Sequence, residues 1–165
     1  MPKQHYRPDT FHSRDSIGYL LKRSQRLLQE RIEMRFAEQG CTLQQWVVLM
    51  HVRDGLAITV ADLCRELRHD SGAMTRLIDQ LESRDLVERR RTQSDRRVIE
   101  LSLTKAGEKL LDSLIPTVCD VLNESLDGFT REEVKTLQSM LGRMLTQLEN
   151  LAASSSGTPA NADKE

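Results

Sequence analysis

The stretch RRRTQSDRR at residues 89–97 places five arginines in nine positions, with Asp95 the single acid among them. Guanidinium groups are permanently charged planar forks that match the oxygens of phosphates and carboxylates. Such a cluster is either a solvated turn or a grip on a polyanion. Arg96 and Arg97 sit at or beside the tip of the polar run RTQSDR. From a tip an arginine can enter a DNA minor groove, where negative potential is focused. Asp95 cannot bind phosphate, but it can pair with a neighbouring arginine and stiffen the loop. On a strand, Arg89, Arg90 and Arg91 point alternately to opposite sides. Arg89 and Arg91 are the candidates for phosphate contact, and Arg90 keeps the reading of a solvated turn.

A second set lies upstream, in SGAMTRLIDQLESRD (71–85). Opposite its apolar residues Met74, Leu77, Ile78 and Leu81, a helix here presents Ser71, Gly72, Thr75, Arg76 and Asp79. Arg76 can bridge a guanine or hold a phosphate, and Thr75 offers a hydroxyl or a methyl to a base. Gly72 allows close approach at a helix N-terminus, whose free N–H groups favour phosphate. Alone, Thr75 and Arg76 would read as a solvated face. Between a short helix and a basic hairpin they read as a DNA-facing edge.

The elements that must position these residues follow from periodicity and caps. Apolar residues from Ile17 to Phe36 recur at spacings of three and four, which predicts a helix over 16–38 stopped by Gly40. Thr42 and Gln45 form a capping box for a second helix ended by Asp54-Gly55. Thr59 caps a short helix over 59–67, His69-Asp70 makes a turn, and Asp70 caps the helix over 71–85. Two short helices joined this way form a helix-turn-helix. The period then changes to that of strands over 86–90 and 97–103. Thr104 caps a long helix that Pro116 should bend. A Thr130/Glu133 capping box opens a last helix, whose stripe Val134, Leu137, Leu141, Met144, Leu148 and Leu151 needs a partner surface.

These elements make a mainly α chain with a small β-hairpin wing. The expected organisation is an arm over 1–15, a winged helix over about 42–103, flanking helices over about 16–39 and 104–151, and a disordered tail over 152–165. Net charge is −1 in 165 residues, so bulk charge selects no partner. Its distribution does. Six arginines against Asp85, Glu88 and Asp95 leave residues 84–97 at +3, while residues 100–133 carry −5, a surface that should face away from DNA.

Other classes find little support. The four histidines do not share ligand spacing with cysteines or carboxylates, so no metal is expected. No nucleophile–base–orienter set and no glycine-rich phosphate loop is visible, so neither an enzyme nor a cofactor is expected. Three widely spaced cysteines suggest reduced thiols. No apolar run approaches a membrane span and the polar N-terminus lacks a signal core, which points to a cytoplasmic protein.

Over residues 16–150 the chain resembles the MarR family of winged helix-turn-helix transcriptional regulators. The resemblance rests on D-x-G-A-x-T-R at 70–76, L-E-x-R-x-L-V-x-R at 81–89, D-R-R at 95–97, L-T-x-x-G at 103–107 and Thr42-Leu43-Gln44-Gln45-Trp46. It implies a homodimer on a palindromic operator, with the helices over 16–39 and 104–151 as the dimerisation surface and a wing arginine in the minor groove. The extended N-terminal arm departs from the family pattern. The resemblance also implies a repressor released by a small aromatic effector, for which Arg14, Tyr19, Trp46, Met50 and His51 are the candidates. Trp46 and Met50 are one helical turn apart and share a face. An aromatic floor with an Arg or His suits an aromatic carboxylate. Against this, Trp46 can be a core residue at a helix junction and His51 a surface histidine. A thiol sensor is the alternative: Cys41, near a helix N-terminus, could have a lowered pKa, while Cys64 and Cys119 read as inert core. A winged-helix module that binds protein instead of DNA is the other alternative, and the basic wing argues against it.

Overall fold

A computed structural model describes residues 4–91 and 99–155. They fall into two compact units that divide between Ser125 and Leu126.

In the first unit the arm is more regular than expected, with 3-10 turns at Pro8–Thr10 and Ser13–Asp15. The Tyr6 hydroxyl accepts from the Ile17 amide at 2.9 Å, and its ring meets Phe11 edge-on. The segment therefore folds back on the start of helix α1 (Ile17–Ala37), which Ser16 caps. Only the rear of α1 is buried, at Ile32 and Phe36. Ile17, Leu20 and Leu27 of its front half are exposed. Gly40, at φ +64°, makes the turn out of α1, a conformation that favours glycine.

Helix α2 (Leu43–Arg53) opens with both arms of the Thr42/Gln45 capping box. Helix α3 (Val60–Leu67) is capped by Thr59 and helix α4 (Ser71–Ser83) by Asp70. The expected helix over 71–85 stops two residues early because Arg84 leaves helical geometry and Asp85 turns left-handed at φ 57°. Asp is among the few residue types that visit this region readily. Strands β1 (Val87–Arg91) and β2 (Ile99–Leu103) pair antiparallel, Val87 opposite Leu103 and Arg91 opposite Ile99. The Leu101 amide also donates to the Ile58 carbonyl at 2.7 Å, which ties the hairpin to the segment before α3. Helix α5 (Lys105–Ser125) carries Pro116 inside it.

Two apolar clusters hold this unit together. One joins Val48, Leu49 and Val52 of α2 to Leu63, to Met74, Ile78 and Leu81 of α4, and to Val87, Leu101 and Leu111. The other joins Ile32 and Phe36 to Cys41, Leu43, Leu114 and Val121. Trp46 packs against both. Each fully buried Leu or Ile contributes roughly 1.5–3 kcal/mol, so α4 is fixed mainly by its apolar stripe.

The second unit holds helix α6 (Arg131–Ser155), four residues longer than the expected end at Leu151. The start of the expected disordered tail is therefore helical. Its capping box is formed: the Glu133 amide donates to Thr130 Oγ1 at 3.2 Å and the Thr130 amide to Glu133 Oε2 at 2.8 Å. Leu137, Met140, Leu141, Leu145, Leu148 and Leu151 are all exposed. Among the described residues, no helix is long and apolar enough to cross a membrane.

Candidate nucleic-acid interface

The entry to α4 is set by Asp70, whose Oδ1 accepts from the Ala73 amide at 3.0 Å. With Met74, Ile78 and Leu81 turned into the core, Ser71, Gly72, Thr75 and Arg76 are left exposed together on the opposite side. A Cβ on Gly72 would stand 3.2 Å from Asp70 Oδ1 and 3.7 Å from Arg76 Nη1. The Arg76 guanidinium thus lies beside the helix N-terminus, adding a full charge to the free N–H groups there. Thr75 Oγ1 donates to the Ser71 carbonyl at 2.8 Å. Its proton is thereby engaged within the helix, and what it can offer a base is its methyl group and an oxygen lone pair.

The arginines of the hairpin separate into different roles. Arg89, expected at phosphate, is half-buried, and its guanidinium is held by two carboxylates of α4: Asp79 at 2.7 Å and Glu82 at 2.5 Å. It braces β1 against α4, and the same pairs neutralise Asp79, which would otherwise repel DNA on the exposed face. Arg90 pairs with Glu88. Arg91 is exposed at the end of β1. Asp95, Arg96 and Arg97 lie outside the described residues.

Arg84 is a contact that local pattern does not suggest. Its Nη1 donates to Gln45 Oε1 at 3.0 Å and its Nη2 to the Gly40 carbonyl at 2.9 Å. Gln45 is the buried polar residue of the chain's described part, and the same Oε1 accepts from the Thr42 amide. The only sequence signal for this pairing was the L-E-x-R string itself.

The candidate effector residues do not come together in one chain. Arg14 and Tyr19 are exposed at the front of α1, whereas Trp46 packs on Phe36 at its rear with ring centroids 6.0 Å apart. Tyr19 and Phe36 are separated by about 25 Å of helix, at 1.5 Å per residue. Met50 and Trp46 both border the first core cluster. His51 is half-buried, and its Nδ1 donates to the Val47 carbonyl at 2.8 Å. Trp46 Nε1 is buried with no hydrogen-bond partner among the described residues. A crevice of about 600 Å³ lies elsewhere, at the corner between α1 and α2, lined by Glu33, Ala37, Gly40, Cys41, Thr42 and Gln44.

The thiols differ from expectation. Burial pushes Cys41 above the ordinary thiol value and outweighs the lowering effects of Arg84 and two backbone hydrogen bonds. Cys64 is half-buried as core, but Cys119 is exposed on α5. Among the described residues, no three His, Cys, Asp or Glu side chains are grouped to hold a metal.

Comparison with known proteins bears on what this surface is for. The MarR family profile matches residues 39–98, a span that holds α2, α3, α4 and β1 and ends just before β2. The multiple antibiotic resistance protein MarR of Escherichia coli is 30% identical over 142 residues, 83% of this chain and 96% of that protein. The HTH-type transcriptional repressor NicR of Pseudomonas putida is 26% identical over 140 residues, 82% of this chain and 86% of that one. In three dimensions, the crystal structure of a mutant E. coli MarR complexed with operator DNA superposes with a TM-score of 0.68, at 28% identity, over 78% of this chain and 93% of that one.

Proposed function

The chain belongs to the MarR family, as a transcriptional regulator with that family's DNA-binding fold, and from this premise we propose that it is a homodimeric repressor that holds a palindromic operator and releases it on binding a small aromatic carboxylate. The observation that carries the reading is the edge of α4, where Gly72, Thr75 and Arg76 are exposed together on the helix to which Arg89 ties the arginine-bearing strand β1. Arg76 reads a base or grips phosphate, Ser71 and Gly72 let the backbone approach, and Arg91 meets the sugar–phosphate backbone from the hairpin. Arg96 and Arg97 are assigned to the minor groove on their sequence position alone, with Asp95 pairing with one of them to stiffen the loop. The name of NicR supports repression as the outcome.

One such module makes few contacts, and a twofold pair with half-sites about 34–36 Å apart doubles them. Two surfaces call for cover by a second copy: the exposed front of α1, and the exposed stripe of α6, which is too long and apolar to stay in water. The effector reading rests on Trp46. A buried indole N–H without an acceptor costs about 1–3 kcal/mol, and a ligand carboxylate oxygen would relieve that cost. Met50 supplies apolar floor, and His51, fixed by its bond to Val47, supplies a second polar group. Arg14 and Tyr19 join this site only as contributions from the second copy. The raised Cys41 pKa weighs against the thiol-sensor alternative.

The test is selection of duplexes from a randomised library by the purified chain, followed by fluorescence anisotropy at several salt concentrations and sedimentation. An inverted repeat bound two chains at a time, with steep salt dependence, is expected. Salicylate, benzoate and nicotinate should then raise the melting temperature of the protein and weaken the duplex complex. A monomer, or no enriched duplex, defeats the DNA reading. Acids that bind without changing duplex affinity defeat the effector reading.

A further inference from the structure

We infer that Arg84 is a positioning residue for DNA recognition: it fixes the orientation of α4 by clamping the helix's C-terminal end to the corner between α1 and α2. Arg84 follows the last helical residue of α4, and its own amide closes the helix by donating to the Gln80 carbonyl at 3.3 Å. Its side chain turns away from the helix axis toward two acceptors on another part of the chain, Gln45 Oε1 and the Gly40 carbonyl.

Both acceptors are held by local structure. Gly40 sits in a left-handed turn, and the Gln45 amide is buried and already fixed by the capping box with Thr42. A planar guanidinium that engages two fixed acceptors loses its freedom to swing, which a single-point ammonium would keep. The apolar stripe Met74, Ile78 and Leu81 holds α4 against the core, but apolar burial is non-directional and tolerates small rotations. The two polar bonds supply the direction. Arg76 and Arg84 are eight positions apart, about 12 Å along the helix at 1.5 Å per residue. A tilt allowed at Arg84 therefore displaces the base-reading end.

This role differs from that of a phosphate contact, which an arginine at the end of a recognition helix would otherwise suggest. A phosphate contact adds to the salt dependence of binding, whereas a positioning bond changes affinity and leaves that slope alone. The inference rests on the DNA-binding reading above.

The experiment uses the full chain and a duplex enriched by the wild type from a randomised library. Arg84→Met keeps the aliphatic stem and removes the fork. Its affinity should fall about tenfold, with an unchanged slope of log affinity against log salt and little change in melting temperature. Arg84→Lys should recover only part of the loss. Gln45→Met removes one of the fork's two acceptors and should produce a smaller loss, and in the double variant the losses should be less than additive, because both single variants remove the Arg84–Gln45 bond. A slope shallower by about 0.9 in Arg84→Met would make Arg84 a phosphate contact and overturn the inference. Unchanged affinity, or strictly additive losses in the double variant, would overturn it too. If the wild type enriches no duplex, the DNA-binding reading falls and this inference with it. If the wild type binds and Arg84→Met binds equally well, only the inference falls.

Discussion

A Cβ placed on Gly107 would lie 2.0 Å from the backbone oxygen of Leu86. Helix α5 thus meets the entry of the hairpin at a separation that only glycine permits. The junction is held by polar bonds on either side: the Thr104 amide donates to the Leu86 carbonyl at 3.2 Å, and the Gly107 amide donates to Thr104 Oγ1 at 3.0 Å. Because the obstructing atom is backbone, no side-chain rotation relieves an added methyl. Gly107→Ala should destabilise the protein by about 2–4 kcal/mol. Gly18→Ala, with nothing within 4 Å of the new methyl, should be neutral or slightly stabilising. Thermal melts of the two variants check this, and an unchanged Gly107→Ala midpoint would mean that α5 can slide off the hairpin at little cost.

That junction also marks the division between what the sequence displays and what it hides. The caps at Thr42, Thr59, Asp70 and Thr130 were legible because a cap binds an amide two or three residues away. The apolar stripes of α2 and α4 were legible because burial repeats with the helix. The glycine at 107 was visible as part of a motif, but its reason was not, since the clashing atom belongs to Leu86. Arg84 and Arg89 were hidden for the same cause. Their partners, Gln45 and Gly40 for one and Asp79 and Glu82 for the other, are chosen by packing and not by spacing. A charge run looks the same whether its members face phosphate or a neighbouring carboxylate. The effector candidates are not gathered within one chain, because α1 is long enough to keep Tyr19 far from Trp46, and spacing in the sequence does not display that distance.

The two hairpin arginines 89 and 91 should therefore respond differently to substitution. Arg89→Met removes two ion pairs from a half-exposed site, so it should cost about 1 kcal/mol of stability, less at high salt, with the salt slope of DNA binding unchanged. Arg91→Ala and Arg76→Ala should leave stability alone and each reduce that slope by about 0.9. Arg76→Ala should in addition relax discrimination between duplex sequences. Anisotropy titrations across a salt series separate these outcomes. A shallower slope for Arg89→Met would mean that it exchanges its carboxylates for phosphate on binding.

Arg68 ends α3 in left-handed geometry, at φ 50° and ψ 43°, where its amide donates to the Cys64 carbonyl. A side chain there costs about 1 kcal/mol that glycine avoids, and part of this is offset by the greater freedom of glycine in the unfolded chain. Arg68→Gly should therefore raise the melting temperature by a few degrees, and Arg68→Val should lower it, since branching at Cβ worsens the crowding. A lower midpoint for the glycine variant would show that the arginine side chain contributes more than the backbone costs.

The order of thiol reactivity follows from exposure and from the direction of the Cys41 shift. Cys119 is exposed, Cys64 half-buried and Cys41 buried, with its thiol held protonated by desolvation. Timed alkylation with iodoacetamide, read by mass spectrometry of peptides, should label Cys119 first and Cys41 last. Cys41 should react at an ordinary rate only after unfolding in denaturant. Cys41 labelling first at neutral pH would revive the thiol-sensor reading that its burial opposes.

Acid should loosen the clasp between α1 and α5. Glu124 of α5 accepts from Arg35 and, at 3.4 Å, from Arg31, both on α1. The Arg35 hydrogen bond, opposed by some desolvation and aided by the charges of Arg35 and Arg31, holds the Glu124 carboxyl below the usual glutamate value. A carboxyl whose pKa is lower folded than unfolded binds fewer protons in the native state. Its stabilisation is fully present above the unfolded value and disappears as pH falls through the folded one. The pair is solvent-exposed, so the effect is modest and salt-sensitive. Wild type should melt above Glu124→Gln at about pH 7 in low salt, and the gap should close as pH falls through the lowered folded pKa of Glu124, below which both side chains are neutral. High salt at neutral pH should close the gap as well. If it persists at low pH, the glutamine has removed packing and not charge, and the ion pair does not hold the two helices together.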